Sequence, residues 1–459
     1  MKNRIKKFVI ISLFFVILVS FQVYAQDEMV IDILKNGSLE DVEDIILFSN
    51  QINSKLGEYE ANYLYYAAYN DDYKVMDYLI NKGGRISFKS KYGVTPLMIA
   101  STTNKNLNII KLLLNNGADI NAESNSGMTP ILSSAYNSNL NIMKFLSKNG
   151  ANLNDKKGTE TILHIAATSN PNPDVIIFLV KQGLNINEKD FFEETPFIKA
   201  LKFNNFDVVN TFLKFDNNLI YYKSKYEDNI LHHAAINKNP QFLHYILENE
   251  NKLFDINSRN KHGETYLMNA ALYNRNINVM RYLLKNGANV NSRNIIGNTV
   301  LMKLINRYNK EDLMDRINLL VENGADLNVK DRYGDDLLSM SLSSDKKIEI
   351  INYFFNKEDY NKIELDNLFF DAVKNNKIDV VRFFLEKTTN INKRNILGAT
   401  PLMYAAMFND NPKVIELLLQ GGANPKLKDN EDKTAYDYMK DNYFLNNSEI
   451  HWKLHDLKY

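Results

Sequence analysis

A block of the form Thr-Pro-Leu-x-x-Ala returns along this chain every 31 to 37 residues, and no other feature limits its possible folds so strongly. The clearest copies begin at Thr95 (TPLMIA), Thr129 (TPILSSA), Thr195 (TPFIKA), Thr265 (TYLMNA) and Thr400 (TPLMYA). Most are followed by a leucine-rich run and then by Gly-Ala-Asp/Asn-x-Asn. Anchored on the threonine, the series runs Asn62, Thr95, Thr129, Thr161, Thr195, Asn229, Thr265, Thr299, Asp336, Asn367, Thr400 and Thr434. A length of 459 residues suggests several domains, but no interval in the series has room for an inserted one. One such unit cannot bury both of its faces, so the units must stack into a quasi-one-dimensional array with a continuous core.

The chemistry of one unit is readable residue by residue. Threonine at the anchor is a helix N-cap, its hydroxyl accepting from an early backbone N–H, and proline after it suits the first helical position. The second helix of the unit uses asparagine in the same way at Asn172-Pro173, Asn239-Pro240 and Asn411-Pro412. Gly117, Gly150, Gly183, Gly287, Gly324 and Gly422 stand where that second helix ends. A second glycine, at Gly93, Gly127, Gly263, Gly297, Gly334 and Gly398, falls in the turn before the next unit. Small pairs such as Ala67-Ala68, Ala166-Ala167, Ala234-Ala235, Ala270-Ala271 and Ala405-Ala406 let the first helix approach its neighbours. Runs such as Ile109-Ile110 with Leu112–Leu114, and Val414-Ile415 with Leu417–Leu419, fill the layer between units, and Leu112 and Leu417 are read as core residues.

This pattern resembles the ankyrin repeat, and the resemblance covers essentially everything after the first 25 residues. It implies an all-α solenoid of about twelve stacked helix-turn-helix units with β-hairpin fingers. On that reading residues 26–60 hold N-terminal capping helices, with a worn helix pair at 29–46, residues 61–441 are the repeats, and 442–459 form a short polar tail. Several repeats depart from the pattern. The fifth and sixth lack the Gly-Ala-Asp closure, the ninth replaces Thr-Pro by Asp336-Leu337, and the tenth reads NLFFDAV. A spacing of 37 followed by one of 31 restores the average. These departures read either as drift on a tolerant scaffold or as a change of curvature at a binding site.

The first 25 residues read as a secretory signal. MKNRIKK precedes an apolar run from Phe8 to Val19, and a polar-small stretch ends in Val23-Tyr24-Ala25, which predicts cleavage before Gln26. An uncleaved anchor is the alternative, because the apolar run nearly reaches spanning length. The chain is therefore expected to be exported, periplasmic or secreted, with no other membrane segment. The bias toward Asn, Lys and Ile looks bacterial. There is no cysteine, which excludes a lipidated thiol, disulfides and a thiol nucleophile. Lys plus Arg equal Asp plus Glu, and without Lys2, Arg4, Lys6 and Lys7 the balance turns acidic. Such a surface argues against a nucleic-acid partner.

Chemistry is sparse. His164 and His232 fill the histidine slot of the motif, where the resemblance implies a loop-supporting hydrogen bond; methionine takes that slot at Met98, Met268, Met302 and Met403. His451 and His455 could share one helical face, but no third ligand accompanies them. No metalloprotease, nucleophile-elbow, phosphate-loop or dinucleotide motif is present. Asp119, Asp326 and the lysine-rich turns at Lys89, Lys91, Lys156, Lys157, Lys393 and Arg394 fit solvated slots. We therefore assign no catalytic residue, no metal and no cofactor, and expect a monomeric interaction scaffold with a protein partner. An enzyme whose site is assembled across repeats and a self-associating solenoid are the alternatives. In the ankyrin pattern the variable slots are the pair before the finger glycine and the pair after Ala-Ala. The finger slots hold Tyr92, Phe191, Phe192, Tyr226, His262, Arg332 and Tyr333, and the helix slots hold Tyr69, Tyr136, Tyr273 and Phe408. Glu193 and Glu227 replace the finger glycine beside Phe192 and Tyr226. Aromatic and arginine side chains in such slots suit interface hot spots.

Overall fold

A computed structural model describes residues 27–49, 52–249, 253–307, 311–343, 348–356, 362–374, 378–387, 390–446 and 448–458. The expected signal segment lies outside them. Among the described residues no helix is long and apolar enough to cross a membrane. The chain forms two compact units. One comprises the described residues up to Lys223 together with Asn229–Asn249, and the other comprises Ser224–Asp228 together with the described residues after 252.

Each unit is a succession of short helix pairs. In the first, the pairs are Tyr63–Ala67 with Tyr73–Asn81, Pro96–Thr103 with Leu107–Asn115, Pro130–Ser134 with Leu140–Lys148, Ile162–Ser169 with Pro173–Lys181, Pro196–Phe203 with Phe206–Phe215, and Ile230–Ala234 with Gln241–Asn249. Helical residues 27–36 and helix Leu39–Ser49 precede them. In the second, they are Tyr266–Tyr273 with Ile277–Lys285, Val300–Arg307 with Leu313–Glu322, Leu337–Ser343 with Ile348–Phe355, Lys362–Lys374 with Ile378–Lys387, Pro401–Phe408 with Pro412–Gln420, and Ala435–Lys440 with Glu449–Lys458. First helices pack on first helices of neighbouring repeats, as Pro96–Thr103 does on Pro130–Ser134.

The caps work as the motif requires. Thr95, Thr129, Thr195, Thr265 and Thr400 accept a hydrogen bond from the backbone N–H three residues on. Asp336 keeps this role in the ninth repeat, accepting from the Ser339 N–H at 2.8 Å while the Ser339 hydroxyl accepts from the Asp336 N–H at 2.9 Å. The tenth repeat differs: Asn367 is no cap, because it sits inside the helix Lys362–Lys374. The core residues need a one-position correction. Leu112 and Leu417 are only half-buried, whereas Leu113 and Leu418 are fully buried with Ile109, Ile110, Val414 and Ile415. On a 3.6-residue helix the buried face takes positions spaced by one, three and four, and these triplets obey that spacing.

A row of buried asparagines ties successive repeats together. The side-chain amides of Asn104, Asn137, Asn170, Asn204 and Asn237 donate to two or three backbone carbonyls of the preceding repeat, at distances such as 2.8 Å from Asn170 to the Asn137 carbonyl. Their Oδ1 atoms accept a backbone N–H at the start of their own second helix. Asn442 makes the same two donations in the second unit, with its Oδ1 accepting from the Phe444 N–H. In the eighth repeat the guanidinium of Arg316 does this work instead. It donates to the Ala271 carbonyl at 3.1 Å and the Asn274 carbonyl at 2.8 Å, with Nε on Asp312 at 2.8 Å, and is fully buried.

The fingers are mostly side-chain-built turns. Strand pairing among the described residues is confined to Lys156–Lys157 with Glu160–Thr161 and two isolated bridges. The segment expected as a polar tail ends in the helix Glu449–Lys458, with Leu445, Ile450 and Leu454 buried against the last repeat.

Candidate functional site

One side-chain device builds most finger tips. Ser90, Ser124, Asp190, Ser224, Asn260, Asn294, Asp331, Asn395 and Asp429 each stand five residues before the anchor, and each side-chain oxygen accepts the backbone N–H four residues on. The chain must then turn through a left-handed residue. Gly93 does so at φ +77°, where an added Cβ would also meet the Asn125 Oδ1 at 2.5 Å. Glu193 and Glu227 adopt the same conformation at φ 60° and 63°, so the turn survives the loss of glycine at a conformational cost. Adjacent fingers are joined by single backbone bonds, such as Asn125 N–H to the Tyr92 carbonyl at 3.0 Å and Lys261 N–H to the Tyr226 carbonyl at 2.8 Å.

These turns lift the proposed contact residues into solvent. Phe191 and Phe192 are 80% and 72% exposed and Tyr333 is 79% exposed, while His262 and Arg332 are also exposed. Tyr69, Tyr92, Tyr136, Tyr226, Tyr273 and Phe408 expose a third to a half of their surface. Tyr69 stacks edge-on to Tyr65 with Lys35 over its face, and Tyr92 packs against Tyr59. Phe191 and Phe192 meet edge-to-face at 5.4 Å, Tyr226 lies 5.3 Å from His262, and Phe408 continues a row from Phe370 through Tyr404. Tyr69, Tyr92, Tyr136, Phe191 and Phe192 belong to the first unit, and Tyr226, His262, Tyr273, Arg332, Tyr333 and Phe408 to the second.

Charge collects under two of these tips. Lys199 reaches Asp190 at 2.7 Å, Glu194 at 3.3 Å and Glu160 at 3.5 Å, and its ammonium lies 5.8 Å from the Phe192 ring centroid. Burial works against its charge, but the three carboxylates outweigh it and hold the ammonium above its ordinary pKa. Lys303 occupies the same slot of the eighth repeat with Glu264 as its partner. There burial outweighs that carboxylate, and its pKa is lowered.

His164, His232, His451 and His455 are held by local contacts. His164 Nδ1 lies 2.8 Å from the Thr161 hydroxyl and its Nε2 3.0 Å from the Glu194 carbonyl, and burial lowers its pKa. His232 Nδ1 meets Asn229 at 3.0 Å. His451 and His455 share a face only to pack around Tyr436, each 5.2 Å from its ring. Among the described residues no group of three or more His, Asp or Glu side chains could hold a metal ion.

Further exposed groups lie outside the aromatic set. Ile295, Ile396 and Leu397 occupy finger slots and are 48%, 95% and 62% exposed, but an aromatic criterion skips aliphatic side chains. A cleft of about 720 Å³ lies beside two of them, lined by Asp366, Phe370, Asp371, Lys393, Arg394, Ile396 and Tyr404 among others. Only the misplaced tenth anchor hinted at it.

The sequence family described as ankyrin repeats (three copies) matches residues 30–124, 103–190, 163–259, 197–294, 267–365 and 338–429. No curated protein matches the chain.

Proposed function

Because this chain belongs to the ankyrin repeat family, whose repeats are generally protein-interaction modules, we propose that it is a non-catalytic scaffold that acts outside the cytoplasm and grips a protein partner. The observation that carries the reading is the pair Phe191 and Phe192, held in solvent on a turn that Asp190 builds from below. A turn ordered before binding loses little entropy on association, and exposed rings bury much area for few rotors. Tyr226, His262, Arg332 and Tyr333 repeat the arrangement on other fingers, with Tyr69, Tyr136, Tyr273 and Phe408 on first-helix ends. The basic-apolar-small order of residues 1–25 supports export, to the periplasm or beyond.

The test is crosslinking in the native envelope, comparing the parent chain with Phe192→Ala, Tyr226→Ala and Tyr333→Ala. Capture of one defined protein should weaken while thermal unfolding stays unchanged. Intact capture with a lowered melting temperature would make the rings structural. Fractionation with N-terminal sequencing tests export, which predicts Gln26 as the first residue. Self-association is a second reading, favoured by the exposed Tyr443 and Phe444 before the last helix and Trp452 on it, and sedimentation at varied concentration decides it.

A further inference from the structure

We propose that the cleft beside the tenth repeat docks an extended polypeptide segment that carries an arginine, the guanidinium meeting Asp371 beside Phe370 and Tyr404, and the main chain bonding to the free N–H of Ile396. The proposal rests on the reading of this chain as a binding module, but it uses none of the finger-tip residues assigned above.

The cleft exists because this repeat breaks the finger device. Five residues before the anchor, where other repeats place Ser, Asn or Asp to build a turn, the tenth repeat begins the helix Lys362–Lys374. Helix therefore replaces the turn over residues 362–366. The next finger registers the change. In several other fingers the first tip residue donates its N–H to a carbonyl of the preceding finger, as Ile295 does to His262 at 3.0 Å, Arg332 to Ile296 at 3.1 Å and Asn430 to Leu397 at 3.2 Å. Ile396 stands in that position, yet its N–H bonds to no described residue and its side chain is 95% exposed. An extended segment laid along this edge would supply the missing carbonyl, which is how a strand adds to an open edge.

The lining selects the side chain. Asp366 is already paired with Lys393 at 2.9 Å. Asp371 has no ion pair or hydrogen bond among the described residues; burial raises its pKa despite the nearby charge of Lys374, and Asp335 adds to the rise. A cation placed there would relieve that carboxylate. Phe370 and Tyr404 meet edge-to-face at 5.0 Å and leave ring surface toward the cleft, which favours the flat guanidinium over an ammonium. Lys393 and Arg394 also line the cleft, so a free cation or a polybasic tail is disfavoured and the main-chain bond must contribute. A volume of about 720 Å³ lies within the usual range of ligand sites and suits a few residues of extended chain.

The test uses the full chain, immobilised, and two capped peptide pools randomised around a central arginine or a central citrulline. Citrulline keeps the shape and removes the charge. The arginine pool should be retained about tenfold more strongly, and Asp371→Asn should abolish that preference while leaving circular dichroism and unfolding unchanged. Replacing main-chain amides of the peptide by esters, whose carbonyls are weaker acceptors, should weaken retention of the arginine pool. Equal retention of the two pools, no retention of either, or an unchanged preference in Asp371→Asn overturns the proposal. So does loss of retention in Phe192→Ala or Tyr333→Ala, which would move the peptide to the finger tips. Failure here with envelope capture intact leaves the scaffold reading standing.

Discussion

Residues 104–237 and the eighth repeat solve one problem with different chemistry. In both, backbone carbonyls at the end of a first helix are buried by the next repeat and must be given donors. The earlier stretch uses a neutral asparagine that also accepts an N–H of its own repeat, so each rung is satisfied in both directions. The eighth repeat uses Arg316, whose fork reaches the corresponding carbonyls from the second helix but brings a charge that Asp312 must balance. A stacked array tolerates wide sequence change provided the donors arrive, and the charged solution makes the repeat depend on one residue.

Removing that residue should have the largest effect. Arg316→Ala leaves the Ala271 and Asn274 carbonyls without their donor and Asp312 without its cation, and should cost about 3–5 kcal/mol in denaturant unfolding. Arg316→Lys should recover little, because an ammonium cannot reproduce the fork. If Arg316→Ala costs less than Asn170→Ala, the two rungs are not equivalent in the way described. Leu113→Ala should cost about 2–5 kcal/mol, and Leu112→Ala clearly less, which checks the corrected buried face. Hydrogen exchange should show the loss mainly in neighbouring repeats, since contacts reach only that far.

Asn170→Ala should follow at roughly 2–3 kcal/mol, from two carbonyls and one N–H left unsatisfied. Glu193→Gly and Glu227→Gly should each raise stability by roughly 1 kcal/mol, by relieving a left-handed backbone that glycine adopts freely. No gain in unfolding midpoint would mean that contacts of these glutamates offset the relief. The smallest effect concerns His164. Its folded pKa is lowered by burial, so above the unfolded value of about 6.5 both states are neutral and stability is intact. As pH falls below that value the unfolded chain takes the proton first, and stability is lost down to the folded pKa. The stability difference between the parent chain and His164→Gln should therefore shrink on going from about pH 7.5 to about pH 5.

The repeats were legible because their signals are local. A threonine cap, a proline at the first helical position and a glycine past a helix end are consequences of backbone geometry within a few residues, and Thr95, Pro96 and Gly117 carry them without help from elsewhere. The exposed slots were legible for the same reason, since a turn of fixed form lifts the same positions each time. Asparagine at the rung positions was visible as a recurring letter, yet its role needs the carbonyls of the preceding repeat, some 33 residues away.

By itself the sequence determined the repeat, its period, its caps and the stacking that a one-sided helix pair requires, because each follows from short-range sterics and from burial of an apolar stripe. Tertiary structure alone decided that Arg316 replaces an asparagine rung, that Lys199 is held charged while Lys303 is pulled down by burial, and that the tenth repeat opens a cleft beside Ile396. Those outcomes depend on which groups from distant repeats come to share one desolvated space, and the energy of a buried polar group is set by its neighbours in that space rather than by its neighbours in the chain.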